Sequence, residues 1–306
     1  MKLYKIRFVL QRFLIFIIIS CFWTACGDST VDPETGVSID FETVPKSYPI
    51  TPGIIDEASG LAPSFTMNGY LWTLQDSGQP NSLYLMTPDG KTIKEYNVPG
   101  SQNHDWEDLA SGPGPVDGVN YLYIGEIGNN NPPMTVTNKI YRVQEITSAS
   151  ATFNQNNLET ITFSYPDGPR DAETLLLDPI TKDIFVVSKE ADKAGIYRLP
   201  YPQSTSQTIM AEKVGNIPSV VFTTGGSVSF NGNEILIRGY FSAAYWTRKS
   251  GETIGQTLLK APIKQIIIAP EPQGEAICFD RDAKGFYTLG EIGQATSVNL
   301  NYYSRK

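Results

Sequence analysis

The amino-acid sequence predicts an all-β protein, a five-bladed β-propeller, from three observations. The composition of the 306 residues (41% hydrophobic, 18% charged, with Gly 26, Pro 21, Tyr 16 and Phe 14) favours many short strands joined by turns over long helices. A unit of about four strands recurs five times. The last copy is one strand short, and a segment ahead of the first copy has the pattern to complete it.

Before the repeats, Lys2, Lys5, Arg7 and Arg12 precede the apolar run Phe13–Ile19, the order of an export signal, and the run is too short to span a bilayer. It ends in Trp23-Thr24-Ala25-Cys26-Gly27, which resembles a bacterial lipobox. Residues 1–25 are then a cleaved lipoprotein signal, Cys26 is the lipidated anchor, and 26–37 is a polar tether to a propeller over 38–306. Ile18-Ile19-Ser20-Cys21 fits the same letters but would leave apolar Phe22 and Trp23 on the tether; a plain cleaved signal or an anchor helix is the bland alternative. With Cys26 lipidated only Cys278 remains as a free thiol, so no disulfide framework is available and stability must come from packing.

Val37–Pro45 (VSIDFETVP) reads as the strand that closes the ring by joining the two chain ends in one blade, removing sheet edges that would otherwise invite aggregation. The five copies begin at Glu57, Glu107, Glu173, Gly226 and Glu275. Each passes from an inner strand through a second strand ending in a polar turn to a Tyr-rich third, as in AETLLLDPITKDIFVVSKEADKAGIYRL. Between copies lies one more strand near a proline: KEYNVPG, ITFSYPDG, VGNIPS and QIIIAPEP. Six blades would require splitting the long second copy, whose extra length (NNNPPMTVTN and TSASATFNQNN) has the composition of loops. Asn129–Thr137 is expected on the surface.

This architecture gathers two sets of polar residues on one rim. The first residues of the inner strands supply Ser59, Glu107, Glu173, Ser227 and Glu275; the ends of the second strands supply Asp76, Glu126, Lys189 with Glu190, Arg238 and Glu291. Three carboxylates converging on one axis repel, so either they hold protons or a cation lies among them. Oxygen ligands without His or Cys select a hard ion, and calcium, tolerant of six to eight oxygens, suits a fivefold ring better than octahedral magnesium. The plainer alternative makes these acids hydrogen-bonded struts between blades. The second set mixes acids with Lys189 and Arg238 as a phosphate-plus-metal site would, or forms charge pairs across a polar funnel. His104 is the single histidine; a Ser/His/Asp triad would have to run through it, and no G-x-S-x-G elbow supports one. Trp72, Trp106 and Trp246 are candidates for a sugar platform or for packing between blades.

The words DWEDLASG, YLYIGEIGNNN, KIYRV, FSYPDGPRDAETLLLDP and GIYRL, with QGEAICF near the end, resemble a family of largely uncharacterised secreted or lipid-anchored bacterial propeller proteins across most of residues 57–300. More loosely, the inner-strand words at Ser59, Glu107, Glu173, Ser227 and Glu275 resemble those of calcium-activated nucleotidases of the apyrase type, five-bladed propellers with one axial calcium. That resemblance implies these five residues as calcium ligands, and Asp76 falls at an acidic turn of that family. It departs in the third blade, where Ser188-Lys189-Glu190 stands in place of paired arginines, so calcium binding carries over better than nucleotide hydrolysis. A fainter likeness to phytase-type and esterase-like propellers brings no decisive motif.

Four of the 24 basic residues lie in the first 25 positions, so the rest of the chain is more acidic than the formal net charge of -8. That argues against nucleic acid as a partner. The expectation is a cell-envelope lipoprotein, membrane-anchored and placed on the periplasmic or surface face of the outer membrane. Its calcium-stabilised propeller would bind a ligand, protein or glycan at loops such as Asn129–Thr137 or Phe241–Trp246. The alternative is a calcium-dependent hydrolase of phosphate or ester substrates, with Lys189 and Arg238 holding the anion and Glu126 or Glu291, with Asp76 nearby, positioning water. Long-range repulsion of polyanions tilts the reading toward binding.

Overall fold

A computed structural model describes residues 30–32 and 36–306. The leader, Cys21 and Cys26 lie outside the described residues. Among those described, no helix is long and apolar enough to cross a membrane.

The chain forms five sheets, each ordered from an inner strand outward. In the first blade, β2 (Ala58–Pro63), β3 (Leu71–Gln75), β4 (Ser82–Met86) and β5 (Thr92–Asn97) follow β1 (Lys46–Pro49), which belongs elsewhere. The second holds β6 (Trp106–Pro113), β7 (Asn120–Glu126), β8 (Asn138–Gln144) and β9 (Leu158–Ser164); the third holds β10 (Ala172–Leu177), β11 (Ile184–Ser188) and β12 (Gly195–Leu199). The chain then touches back as β13 (Ile209–Met210), parallel to β9 and so a fifth strand of the second blade, before β14 (Glu212–Asn216) completes the third. The fourth blade is β15 (Gly225–Val228), β16 (Glu234–Arg238), β17 (Ser242–Thr247) and β18 (Lys264–Ile267); the fifth is β19 (Gln273–Phe279), β20 (Gly285–Glu291) and β21 (Asn299–Ser304).

Ring closure occurs through the N-terminal segment, but its ladder is shifted. β1 pairs with β21 from Lys46↔Tyr302 to Pro49↔Asn299, and of the predicted Val37–Pro45 only Phe41 bridges to Arg305. Pro45 has no N–H to donate, so the pairing breaks there and resumes at Lys46. A five-residue helix, α1 (Ile254–Leu258), stands in the β17–β18 connection where the sequence reading saw none. A capping box between Thr253 and Gln256 starts it, while Ile254 and Leu258 anchor it in the core.

Packing follows the period-2 alternation of the strands. Leu122 and Ile124 of β7 face the first blade, whereas Tyr121 and Tyr123 face the third. Five such apolar clusters fill the five junctions between blades, and Phe41 joins the one between the fourth and fifth. Each fully buried Leu, Ile or Phe contributes about 1.5–3 kcal/mol, and among the described residues this packing is unaided by a disulfide. Cys278 is a free, buried thiol.

Candidate acidic site at the rim of the channel

The inner strands β2, β6, β10, β15 and β19 all begin at one rim. In four of them a β-bulge sits at the start, between Ala58 and Leu61, Trp106 and Asp108, Ala172 and Thr174, and Gly274 and Ala276. Ser59, Glu107, Glu173 and Glu275 occupy these bulges, where an extra residue is released from the ladder and its side chain re-aimed. The fourth blade differs. β15 pairs without a bulge, Ser227 is in register with Leu236, and its Oγ accepts the Phe279 N–H at 3.1 Å. Ser227 therefore lies one step further down the strand and serves as a link to the fifth blade, while Gly225 and Gly226 hold the rim positions.

The second-strand set stands where the repeats placed it: Asp76 just beyond β3, Glu126 at the end of β7, Lys189 and Glu190 beyond β11, Arg238 at the end of β16 and Glu291 at the end of β20. Carboxylate oxygens of Asp76, Glu275 and Glu291 lie within 4.8 Å of one another, as do those of Asp76, Asp105 and Glu107. Asp76 thus joins two groups of acids, with Ser59 donating to Glu107 Oε2 at 3.3 Å and to its carbonyl at 2.5 Å. Gly128 permits the crowding, since a Cβ there would collide with Glu107 Oε1 and the Asp105 carboxylate.

Electrostatically the cluster is starved of cations. Burial, reinforced by neighbouring acids, pushes Asp76 up to about 6, Asp105 up to about 7 and Glu291 up to about 9, and holds Glu107 well above the ordinary range. Glu173 is pushed up to about 8 by burial despite an ion pair from Lys189 Nζ to its Oε1. Burial opposes the Lys189 charge, but Glu173 outweighs it and keeps the ammonium protonated. Among the described residues, Glu173 Oε2, Glu275 Oε2 and Glu291 Oε1 are buried with no N–H or hydroxyl donor, and the Glu275 and Glu291 carboxyls lie close enough to share a proton with each other. Such oxygens are costly unless protonated or bound to a cation.

Other candidates have structural employment. Arg238 is fully buried; its Nη1 binds Glu271 at 3.0 Å and the Ala276 carbonyl at 2.9 Å, and its remaining nitrogens face the Gly239 and Tyr240 carbonyls. Four of its five N–H donors are spent on internal partners and its charge is paired with Glu271, so it is a structural group and not the anion-holding partner of Lys189. Glu190 is taken by Arg170 and Ser188. Glu126 accepts the backbone N–H groups of His104 and Asp105, each at 3.0 Å, and so holds the loop that carries Asp105. The His104 side chain is 66% exposed and 3.7 Å from Glu126, and among the described residues no serine hydrogen-bonds to it. Trp72, Trp106 and Trp246 are buried between blades, their indole N–H groups bonded to Glu145, the Gln102 carbonyl and the Lys260 carbonyl, which leaves no face for a sugar.

Two functional positions escaped the sequence reading. Asp105 precedes Glu107 by two residues, as Glu57 precedes Ser59, Asp171 precedes Glu173 and Gln273 precedes Glu275, a recurrence that marks a second polar tier. Asp108, completely buried, accepts N–H bonds from Leu109 and Leu175 at 2.8 Å and from Gly226 at 3.2 Å, tying three inner strands together. Beside the acids opens a pocket of about 410 Å³ lined by His104, Asp105, Glu126, Asn131, Thr137 and Lys139. One wall is the Asn129–Thr137 loop, a surface excursion as expected, pinned by Asn129 to Thr135 and by the Asn129 N–H to Asp171.

No known protein family matches the chain, and no curated protein matches it. Among solved structures, a chain in the crystal structure of a nidogen/laminin complex is similar over 76% of this chain and 72% of its own, with 10% identity and a TM-score of 0.41. The architecture of this chain as a propeller rests on its own strand order.

Proposed function

We propose that this protein is a binding module of the cell envelope, lipid-anchored through Cys26, whose acidic rim holds a divalent cation, calcium foremost. One observation carries the reading: Glu275, 3% exposed and with one oxygen lacking any N–H or hydroxyl donor, converges with Asp76 and Glu291, and Asp76 in turn with Asp105 and Glu107, while none of these five has an ion pair among the described residues. The donors are all oxygen, the chemistry of a hard ion. Glu107, Glu275, Glu291 and Asp76 would hold it, and the ion would tie the blades at the rim and present open positions to a ligand entering the funnel.

The test is a thermal melt of metal-stripped protein with calcium, magnesium or neither. At a hundredfold excess over the dissociation constant an ion bound only to the folded state adds roughly 2.7 kcal/mol, several degrees in Tm. E107Q and E275Q discriminate a metal site from a set of struts. If the acids are ligands, either variant abolishes the calcium response and leaves the metal-free protein about as stable as the parent. Loss of stability without metal, and no calcium shift in the parent, would establish struts.

A second reading is favoured by the pocket of about 410 Å³ that shares Asp105 with the cluster. A calcium-dependent hydrolase of phosphate or ester substrates would seat its substrate there, with the cation polarising it, Lys139 at the wall for the anion, and Asp105 or Glu126 orienting water. Turnover of p-nitrophenyl phosphate or p-nitrophenyl acetate that requires calcium and is lost in D105N supports it; no turnover of either leaves the binding module.

A further inference from the structure

The inner strands are sorted along their length, polar at the acidic rim and apolar toward the opposite mouth. Leu61, Leu109, Leu175 and Leu177 are buried in the clusters between blades, below the acidic tier. At the ends of β6, β10 and β15 lies a second pocket of about 350 Å³. From strand length its walls stand about 13–20 Å from the acids. Its walls are Phe65, Pro113, Leu177, Pro179, Val228 and Phe230, and Phe230 is 50% exposed at its lip. With Phe65 and Val228 it gives the pocket a continuous apolar wall.

The charges at this mouth are not equivalent. Of the two charged residues that line it, Asp282 is paired with Lys284 at 3.1 Å. Arg281 also lines the pocket, yet among the described residues it makes no hydrogen bond and no ion pair. A half-buried guanidinium with five unused donors beside an apolar cavity is arranged for a ligand that brings its own anion. Ser111 and Asn120 add polar groups on the far wall. The volume is that of a small organic ligand.

We infer that this mouth is a second binding site, independent of the acidic rim, for a small molecule with an apolar body and a single anionic group. The apolar body fills the space between Phe65, Leu177, Val228 and Phe230, and the anion meets Arg281. Binding here needs no cation at the rim, because none of the rim acids lines this pocket.

The test uses two probes with the same aromatic body, the anionic 1-anilinonaphthalene-8-sulfonate and the uncharged N-phenyl-1-naphthylamine, titrated into folded protein with EDTA and followed by fluorescence and calorimetry. One saturable site is expected for each, tighter for the sulfonate. R281A, which breaks no internal contact, weakens the sulfonate about tenfold and leaves the neutral probe unchanged, since a charge-assisted contact is lost and nothing else. F230A weakens both. Dodecanoate displaces the sulfonate from the parent, and dodecanol does so less well. Absence of saturable binding, or binding indifferent to both R281A and F230A, overturns the inference. So does equal loss of the two probes in R281A. Melting temperatures equal to the parent's show that either variant is folded.

Discussion

Lys189, next to Glu173 in the third blade, binds one oxygen of that glutamate, and the other oxygen of the carboxylate is buried without a partner. A single lysine thus half-satisfies one acid of a cluster whose remaining members have no cation of their own. The arrangement sets what substitutions, acidity and metal should do to the protein.

Lys189→Met is expected to destabilise the metal-free protein by about 1–3 kcal/mol, because Glu173 loses its pair while staying buried. The loss is below that of a fully buried pair, since the Lys189 side chain is 18% exposed. Millimolar calcium should recover much of it. Melts with and without calcium measure both effects, and a loss that calcium leaves untouched would separate Lys189 from the metal site.

Arg238→Met should behave oppositely with respect to metal. It leaves Glu271 buried and uncompensated and several carbonyls without a donor, a cost of roughly 3–5 kcal/mol. Gly274 already leaves room only for the guanidinium, because a Cβ there would strike Arg238 Nη2. The calcium-induced rise in Tm should survive in any folded fraction, read by differential scanning calorimetry. Its disappearance would return Arg238 to the site.

Without metal, stability should fall as pH rises. Asp76, Asp105, Glu173 and Glu291 have folded-state values raised to about 6, 7, 8 and 9. The folded state therefore binds more protons than the unfolded one. That contribution is complete below the ordinary carboxylate range near pH 4 and is lost as pH climbs through 6 to 9. A bound cation competes with those protons, so the calcium-induced shift should grow between pH 5 and pH 9. Urea unfolding at several pH values, with EDTA or calcium, tests the sign; a metal-free protein most stable at pH 9 contradicts it.

Asp108→Ala should be the most damaging single change at the axis. It strands three backbone N–H groups in a dry interior, at about 1–3 kcal/mol each, and unties the inner strands of the third and fourth blades. Asp108→Asn, which keeps an acceptor oxygen, should cost clearly less. Denaturant unfolding of the two variants measures the difference.

The number of blades, the strands within them and the rim on which the acids gather were legible because they follow from a repeat and from side-chain alternation, properties that each segment carries locally. The words around Glu107, Glu173 and Glu275 marked the inner strands, and the turns after β3, β7, β11 and β20 marked Asp76, Glu126, Lys189 and Glu291. What depended on register was not legible. The missing bulge in β15 displaces Ser227 from its expected tier. Pro45 moves the closing ladder to Lys46–Pro49. Arg238 has the same sequence position in its repeat as Glu126, yet turns inward because Glu271 and three carbonyls await it there. Asp105 enters the cluster through Glu126, which bends its loop, and Gly128, which makes room. The sequence by itself determined a ring of β-sheets with acids at one end, since patterning needs only near neighbours. Which carboxylates meet and which cations are spent on internal partners were decided by contacts between blades, because those partners lie tens to hundreds of residues apart along the chain.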